Sequence, residues 1–253
     1  MVAFPWVEAI SNNVQANLRL FCFPYAGGGS LIFRRWGLTL PKWIEVCPVE
    51  LPGRGRLLHE PPFTKMEQLV PALASSLSTF LDRPFALFGH SLGAYIAFEL
   101  ARHVRSRYQK EPAYLFVSGN KAPHLPNTQP VSYNLPEAEF RAEVMRLNGT
   151  PREILENSEA MSLLLPLLRA DFEVIETYTY RDTPPLSCPI RAYGGLQDIE
   201  APMDDMGEWA RHTASSFSLS MLPGDHFFLR KSEQQLLSIL AADLEWNACH
   251  QHA

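Results

Sequence analysis

Ser91 lies in Gly89-His90-Ser91-Leu92-Gly93, the stretch of the chain with the most chemistry in its spacing. The apolar run Phe85 to Phe88 reads as a short buried strand, and Leu92, Ile96 and Leu100 then recur at helical spacing. A serine on so sharp a strand-to-helix turn has strained backbone angles, and glycines two before and two after it let strand and helix approach closely. The helix N-terminus aims its free amides at the point where negative charge develops during acyl transfer. A chance match in a glycine-containing loop is the bland alternative, and the strand and helix on either side argue against it. Ser91 is therefore the candidate nucleophile of a nucleophile elbow.

A serine nucleophile needs a base, and the base needs an orienting acid; in sheets with this elbow they follow the serine as acid, then histidine. That order leaves His212, His226, His250 and His252 as bases. His212 falls in a predicted helix, where a lone histidine is usually a surface residue, and His250 and His252 belong to a polar tail expected to fray. His226 follows a strand and a Gly turn, at the strand end where such sites assemble. For the acid, Asp198 stands at the matching place after the preceding strand, with Glu200, Asp204, Asp205 and Asp225 as competitors. Asp225 neighbours His226 in the chain and is expected to bond amides in its own turn instead. In the resulting scheme His226 takes the Ser91 proton, and Asp198 holds the imidazole in the useful tautomer. The amide of Leu92, with that of Ala26 in the earlier loop Tyr25-Ala26-Gly27-Gly28-Gly29-Ser30, stabilises the oxyanion by on the order of 3 kcal/mol per donor. Tyr25 is the alternative to Ala26, because a register error of one is easy. The glycine loop fits neither the Walker A nor the dinucleotide spacing. His90, beside the nucleophile, is expected to pack against the site.

The elements that position these groups follow from periodicity and breakers. Strands are expected at Leu18 to Phe23, Trp43 to Leu51, Phe85 to Phe88, Ala113 to Ser118, Cys188 to Tyr193 and Phe217 to Leu222. Leu31 to Trp36 looks helical. Thr64 and Glu67 suggest a capping box for a helix carrying Leu69, Leu73, Leu77 and Leu81, in which Pro71 predicts a kink or a later start. Met203 to His212 looks helical with Trp209 inward, and a last helix runs through Leu236, Leu237, Leu240 and Leu244. From Pro126 the character changes: a short helix with Phe140, Val144, Met145 and Leu147 precedes a second, from Ile154 to Ile175, that is apolar nearly all round. Such a segment must be buried or face a greasy cavity. Strands alternating with helices imply an α/β fold, a mostly parallel sheet covered on both faces. With the elbow this is the α/β-hydrolase arrangement, one domain over residues 1–253 with a helical lid inserted at about 126–185.

The bulk numbers exclude several classes. The chain has 253 residues, 46% of them apolar and 19% charged, which fits an ordinary folded domain and argues against disorder. A net charge of −5 gives no general attraction to nucleic acid or anionic lipid. No run is long and apolar enough to cross a bilayer, and the first residues lack the basic and apolar regions of a signal peptide. Cys22, Cys47, Cys188 and Cys249 show no metal-ligand spacing, and Cys22 and Cys47 read as small buried apolar residues inside strands. A cytoplasmic monomer without metal or cofactor is the expectation, meeting neither nucleic acid nor membrane.

Phe23-Pro24-Tyr25-Ala26-Gly27-Gly28, Leu51-Pro52-Gly53-Arg54, the elbow, Gly194-Gly195-x-x-Asp198 and Gly224-Asp225-His226-Phe227-Phe228 together resemble the type II thioesterases. These are the stand-alone enzymes of nonribosomal peptide and polyketide synthases. The resemblance spans nearly the whole chain, and its first two blocks are more specific than the elbow. It implies hydrolysis of acyl groups from the phosphopantetheine arm of acyl or peptidyl carrier proteins, and a helical lid. Medium-chain fatty acyl-carrier thioesterases share the pattern and are the nearest rival; a carboxylesterase or acyltransferase of the same fold is the next. A thiol with a pKa near 8.5 leaves more readily than an alkoxide, so the triad alone does not select thioesters. Tyr25, Arg54 and Arg56 are the candidates for substrate and carrier binding; carrier proteins are typically acidic, so docking calls for a basic patch, to which Arg141, Arg146 and Arg152 of the lid could also belong. From the residues alone, Arg54 and Arg56 read as two solvated charges in a turn.

Overall fold

The computed structural model describes residues 6–7, 16–150 and 152–250, without the side chains of 152 and 246–250. Six parallel strands form one sheet in the order β2-β1-β3-β4-β5-β6. They are β1 (Leu18–Phe23), β2 (Ile44–Pro48), β3 (Phe85–His90), β4 (Tyr114–Ser118), β5 (Ile190–Gly195) and β6 (Phe217–Leu222). Side chains alternate across the sheet. In β1, Leu18, Leu20 and Cys22 join one apolar cluster, while Phe21 and Phe23 join the cluster on the other face. Burial on both faces explains why the first four strands read as continuous apolar runs rather than as alternation.

Helices α1 (Trp36–Thr39) and α9 (Glu233–His250) cover one face, burying Trp36, Leu236, Leu237 and Leu240. The other face is covered by α2 (Met66–Leu77), through Leu69 and Leu73, and by α3 (Leu92–Tyr108), through Ile96 and Leu100. Pro71 leaves α2 continuous, contrary to the expected kink. It stands on the exposed side, where the carbonyl of Glu67 that it cannot bond faces water. Lys65, not Thr64, caps α2, without a side-chain bond, so the capping box does not form. Cys22 and Cys47 are fully buried, and burial pushes the first thiol well up and the second up to about 12.

Between β4 and β5 stand α4 (Glu137–Leu147), α5 (Arg152–Leu155) and α6 (Ser158–Glu176). What reads in sequence as one long apolar helix is two. Asn157 ends the first by capping the next, its Oδ1 accepting from the N–H groups of Glu159 and Ala160. These helices pack on one another through a cluster of their own, with Phe140, Val144, Met161, Leu165, Leu168 and Phe172 at its centre. Leu163 of α6 stays 79% exposed, so the helix has a wet side after all. After β5 come α7 (Met203–Gly207), a 3-10 turn through Trp209 to His212, and after β6 the short α8 (Phe228–Lys231). Among the described residues no helix is long and apolar enough to cross a membrane.

Candidate active site

The strand order reverses direction at β1, whose two neighbours are β2 and β3. Ligands of open parallel sheets bind outside the C-terminal strand ends at such a switch point. The loop after β1 carries Tyr25 to Gly29, and the turn after β3 carries Ser91, so both border it.

Ser91 has φ 55° and ψ −118°, outside the regions that side-chain-bearing residues favour. Such a conformation costs about 1–3 kcal/mol and persists only where its surroundings impose it. Here they are backbone. A Cβ on Gly89 would come 1.9 Å from the carbonyl oxygen of Gly93, and one on Gly93 would come 2.2 Å from that of Phe23. The Ser91 N–H donates to the Ser118 carbonyl at 2.8 Å, and Asn120 Nδ2 donates to the Ser91 carbonyl at 3.0 Å. Leu92, fully buried, opens α3 with its N–H at the helix N-terminus.

Asp198 and His226, the candidate acid and base, follow β5 and β6, and their loops are laced together. Gln197 N–H donates to the Gly224 carbonyl at 2.9 Å, and the Gly224 N–H returns to Gln197 Oε1 at 2.8 Å. Gly195 has no room for a Cβ, which would fall 2.5 Å from the Asp225 carbonyl oxygen. The loops' proximity brings Asp198 Oδ2 to 2.9 Å from His226 Nδ1. Its other oxygen accepts from the Glu200 N–H at 2.9 Å, and its side chain has no solvent exposure. A carboxylate on Nδ1 keeps the proton there and leaves Nε2 as the acceptor. Asp225 bonds its own turn, accepting from the Phe227 N–H at 3.0 Å. Glu200 pairs with Arg146 at 2.6 Å, and His212 hydrogen-bonds to His124 at 2.9 Å. His250 and His252 lie outside the described side chains.

Ser91, His226, Ala26 and Tyr25 line one cavity of about 440 Å³. Its far wall comes from the inserted helices and the chain after them, with Val144, Leu168, Phe172, Ile175 and Tyr178. Tyr25 stacks edge-on to Phe227, and its hydroxyl accepts from exposed Arg230 at 2.7 Å. His90 is fully buried beside His226, with ring centroids 5.4 Å apart and Nδ1 on Ser118 Oγ at 2.9 Å. Burial, then the neighbouring His226, holds it well below the ordinary histidine range, so it stays neutral. Among the described residues no group of three or more His, Cys, Asp or Glu could hold a metal ion.

Arg54 departs from the sequence reading. It is 5% exposed, neither a solvated turn charge nor a cation presented to a partner, because Asp171 of α6 meets it in a bidentate pair at 2.7 and 2.8 Å. Arg56 is exposed. Arg141 pairs with Glu137, and Arg146 with Glu143 and Glu200, so these two are locally neutralised. The side chain of Arg152 lies outside the described residues. Asp171 and Glu50, both buried beside the glycine loop, went unnoticed in the sequence. The signal for Asp171 was there: a lone acid between Ala170 and Phe172 in an otherwise apolar stretch.

The family profile of the Thioesterase domain matches residues 18–244. The chain belongs to the thioesterase family. This thioesterase is 44% identical over 243 residues to linear gramicidin dehydrogenase LgrE of Brevibacillus parabrevis, across 95% of this chain and 92% of that one. It is 34% identical over 235 residues to the medium-chain S-acyl fatty acid synthase thioesterase of Rattus norvegicus, across 90% and 88%. Among solved structures it resembles YbtT, a type II thioesterase from the yersiniabactin NRPS/PKS biosynthetic pathway. The TM-score is 0.85 at 32% identity, over 96% of this chain and 99% of that one. The word dehydrogenase in the first name stands apart from the other two. The family profile, those two relatives and the serine elbow agree on a thioester hydrolase of the α/β-hydrolase fold, and they carry the assignment.

Proposed function

We propose that the protein hydrolyses acyl thioesters on the phosphopantetheine arm of acyl or peptidyl carrier proteins, as an editing enzyme of a peptide or polyketide synthase. The observation that carries this is one cavity lined by both Ser91 and His226, the latter held by Asp198 from behind, with an apolar wall of lid side chains opposite. Ser91 Oγ attacks the thioester carbonyl while His226 Nε2 takes its proton. The amides of Ala26 and Leu92 face the oxyanion, on the order of 3 kcal/mol each. The thiol of the arm leaves with the proton that His226 returns, and an acyl-serine remains. Water, deprotonated by His226, attacks the ester, and the acid departs as Ser91 is reprotonated. Residues 126–185 act as the lid that keeps bulk water from the acyl-enzyme. The kinship with YbtT supports the synthase setting. The protein acts as a cytoplasmic monomer, which sedimentation and fractionation test.

The test loads acetyl and longer acyl groups on a carrier protein and measures release. Ser91→Ala lowers kcat on the order of 10⁴-fold or more; equal release by wild type and variant refutes the nucleophile. The apolar wall and the rat relative favour one second reading, a fatty acyl-carrier thioesterase. It requires kcat/KM to climb steeply from acetyl to medium chains in the same assay, whereas an editing enzyme clears short groups well.

A further inference from the structure

Where the lid meets the glycine loop lies a charge pair that the reaction scheme does not use. Asp171 is 3% exposed and Arg54 5%. Besides its two bonds to Arg54, the Asp171 carboxylate accepts from the Gly27 N–H at 2.7 Å. Arg54 Nη1 donates in turn to the Gly28 carbonyl at 2.9 Å. Glu50 secures the far end of the same loop, taking the Ser30 N–H at 3.0 Å and its hydroxyl at 2.8 Å. Gly27 has φ 73°, and a Cβ there would fall 2.5 Å from Leu168 Cδ2, so α6 sits directly on the loop.

A buried ion pair is a poor device for stability, since apolar residues of similar volume are often as good or better. Its placement gives another account. The Gly27 N–H shares a planar peptide unit with the carbonyl of Ala26, so a carboxylate fixed on that N–H orients the residue whose own amide faces the oxyanion. Asp171 belongs to the lid and Arg54 to the loop after β2, so the contact exists only with α6 seated.

We propose that Asp171 and Arg54 are positioning residues: together they set the Ala26 amide, making lid closure and assembly of the oxyanion hole one event. This rests on the reading of Ser91 and Ala26 above. The decisive variant replaces both charges at once, Arg54→Met with Asp171→Leu, which keeps volume and leaves no unpaired charge. The urea midpoint is expected to hold, while kcat on acetyl-carrier falls on the order of 10- to 100-fold with KM within about threefold. Affinity for an alkyl trifluoromethyl ketone, whose serine adduct bears an oxyanion, falls by the same factor. Exchange of the Gly27 amide quickens. Wild-type kcat and ketone affinity in the double variant overturn the proposal. If that variant does not fold, Asp171→Asn and Arg54→Lys carry the test, and ketone affinity that fails to track kcat overturns it equally. Turnover of p-nitrophenyl acetate separates the two readings. A wild type that cleaves this ester through Ser91 but ignores carrier thioesters loses the carrier assignment, and the ester assay then makes the same comparison. A wild type active on both, with an unimpaired double variant, loses only the coupling.

Discussion

The elbow under Ser91 and the helices over it bound the same cavity and are built on opposite terms. In the elbow, backbone lies against backbone, and the clearances at Gly89 and Gly93 leave no space for one carbon. The inserted helices are held by side chains, chiefly Phe140, Val144, Met161, Leu165, Leu168 and Phe172, and they leave Leu163 and Met145 largely in water. Backbone contacts do not repack, whereas side-chain clusters absorb change by relaxing. Ser91 is therefore fixed from below, and the shape of the cavity above it is set by a layer that can adjust.

The largest effect that tests this contrast is Gly89→Ala, whose new carbon meets the Gly93 carbonyl oxygen at 1.9 Å. It is expected to destabilise by more than ~4 kcal/mol or to abolish folding; a native-like urea midpoint breaks the comparison. In the inserted helices that we propose as a lid, Phe140→Ala is expected to weaken α4 and α6 by about 3 kcal/mol. Hydrogen exchange should show this confined to the lid, with the β3 and β4 amides unchanged; equal acceleration in both erases the distinction. A third test uses two histidines, His90 below the elbow and His212 outside the lid. Burial lowers both, His212 to about 4 with help from His124, Arg102 and Arg211. The unfolded chain protonates near 6.5, so between there and about 4 it binds protons that the native state refuses, and stability falls as pH falls. Urea midpoints at about pH 7 and about pH 5 should differ, and His212→Gln should make the difference smaller; an unchanged difference removes His212 from the account. The smallest effect is Leu163→Ser, exposed on α6 and expected within ~0.5 kcal/mol of wild type.

Much of this was legible from local pattern. The strand at Leu18–Phe23 and that at Phe217–Leu222 begin and end where the pattern put them. The elbow's glycines signalled their own steric need. Arg54 was not legible, because what decides its state is a carboxylate 117 residues away that no local rule brings near. The break at Asn157 was missed for a different reason: apolar content dominates a periodicity count, while one cap residue outweighs it locally. Pro71 was over-weighted, since a proline matters less when its orphaned carbonyl faces water.

The backbone angles of Ser91 carry a consequence for how such a protein changes over time. Glycine adopts φ 55° without the clash that a side chain meets there, so Ser91→Gly should fold more tightly than the enzyme by about 1 kcal/mol while releasing no product. Under the proposed mechanism, drift toward a sturdier molecule and retention of the reaction pull this position in opposite directions.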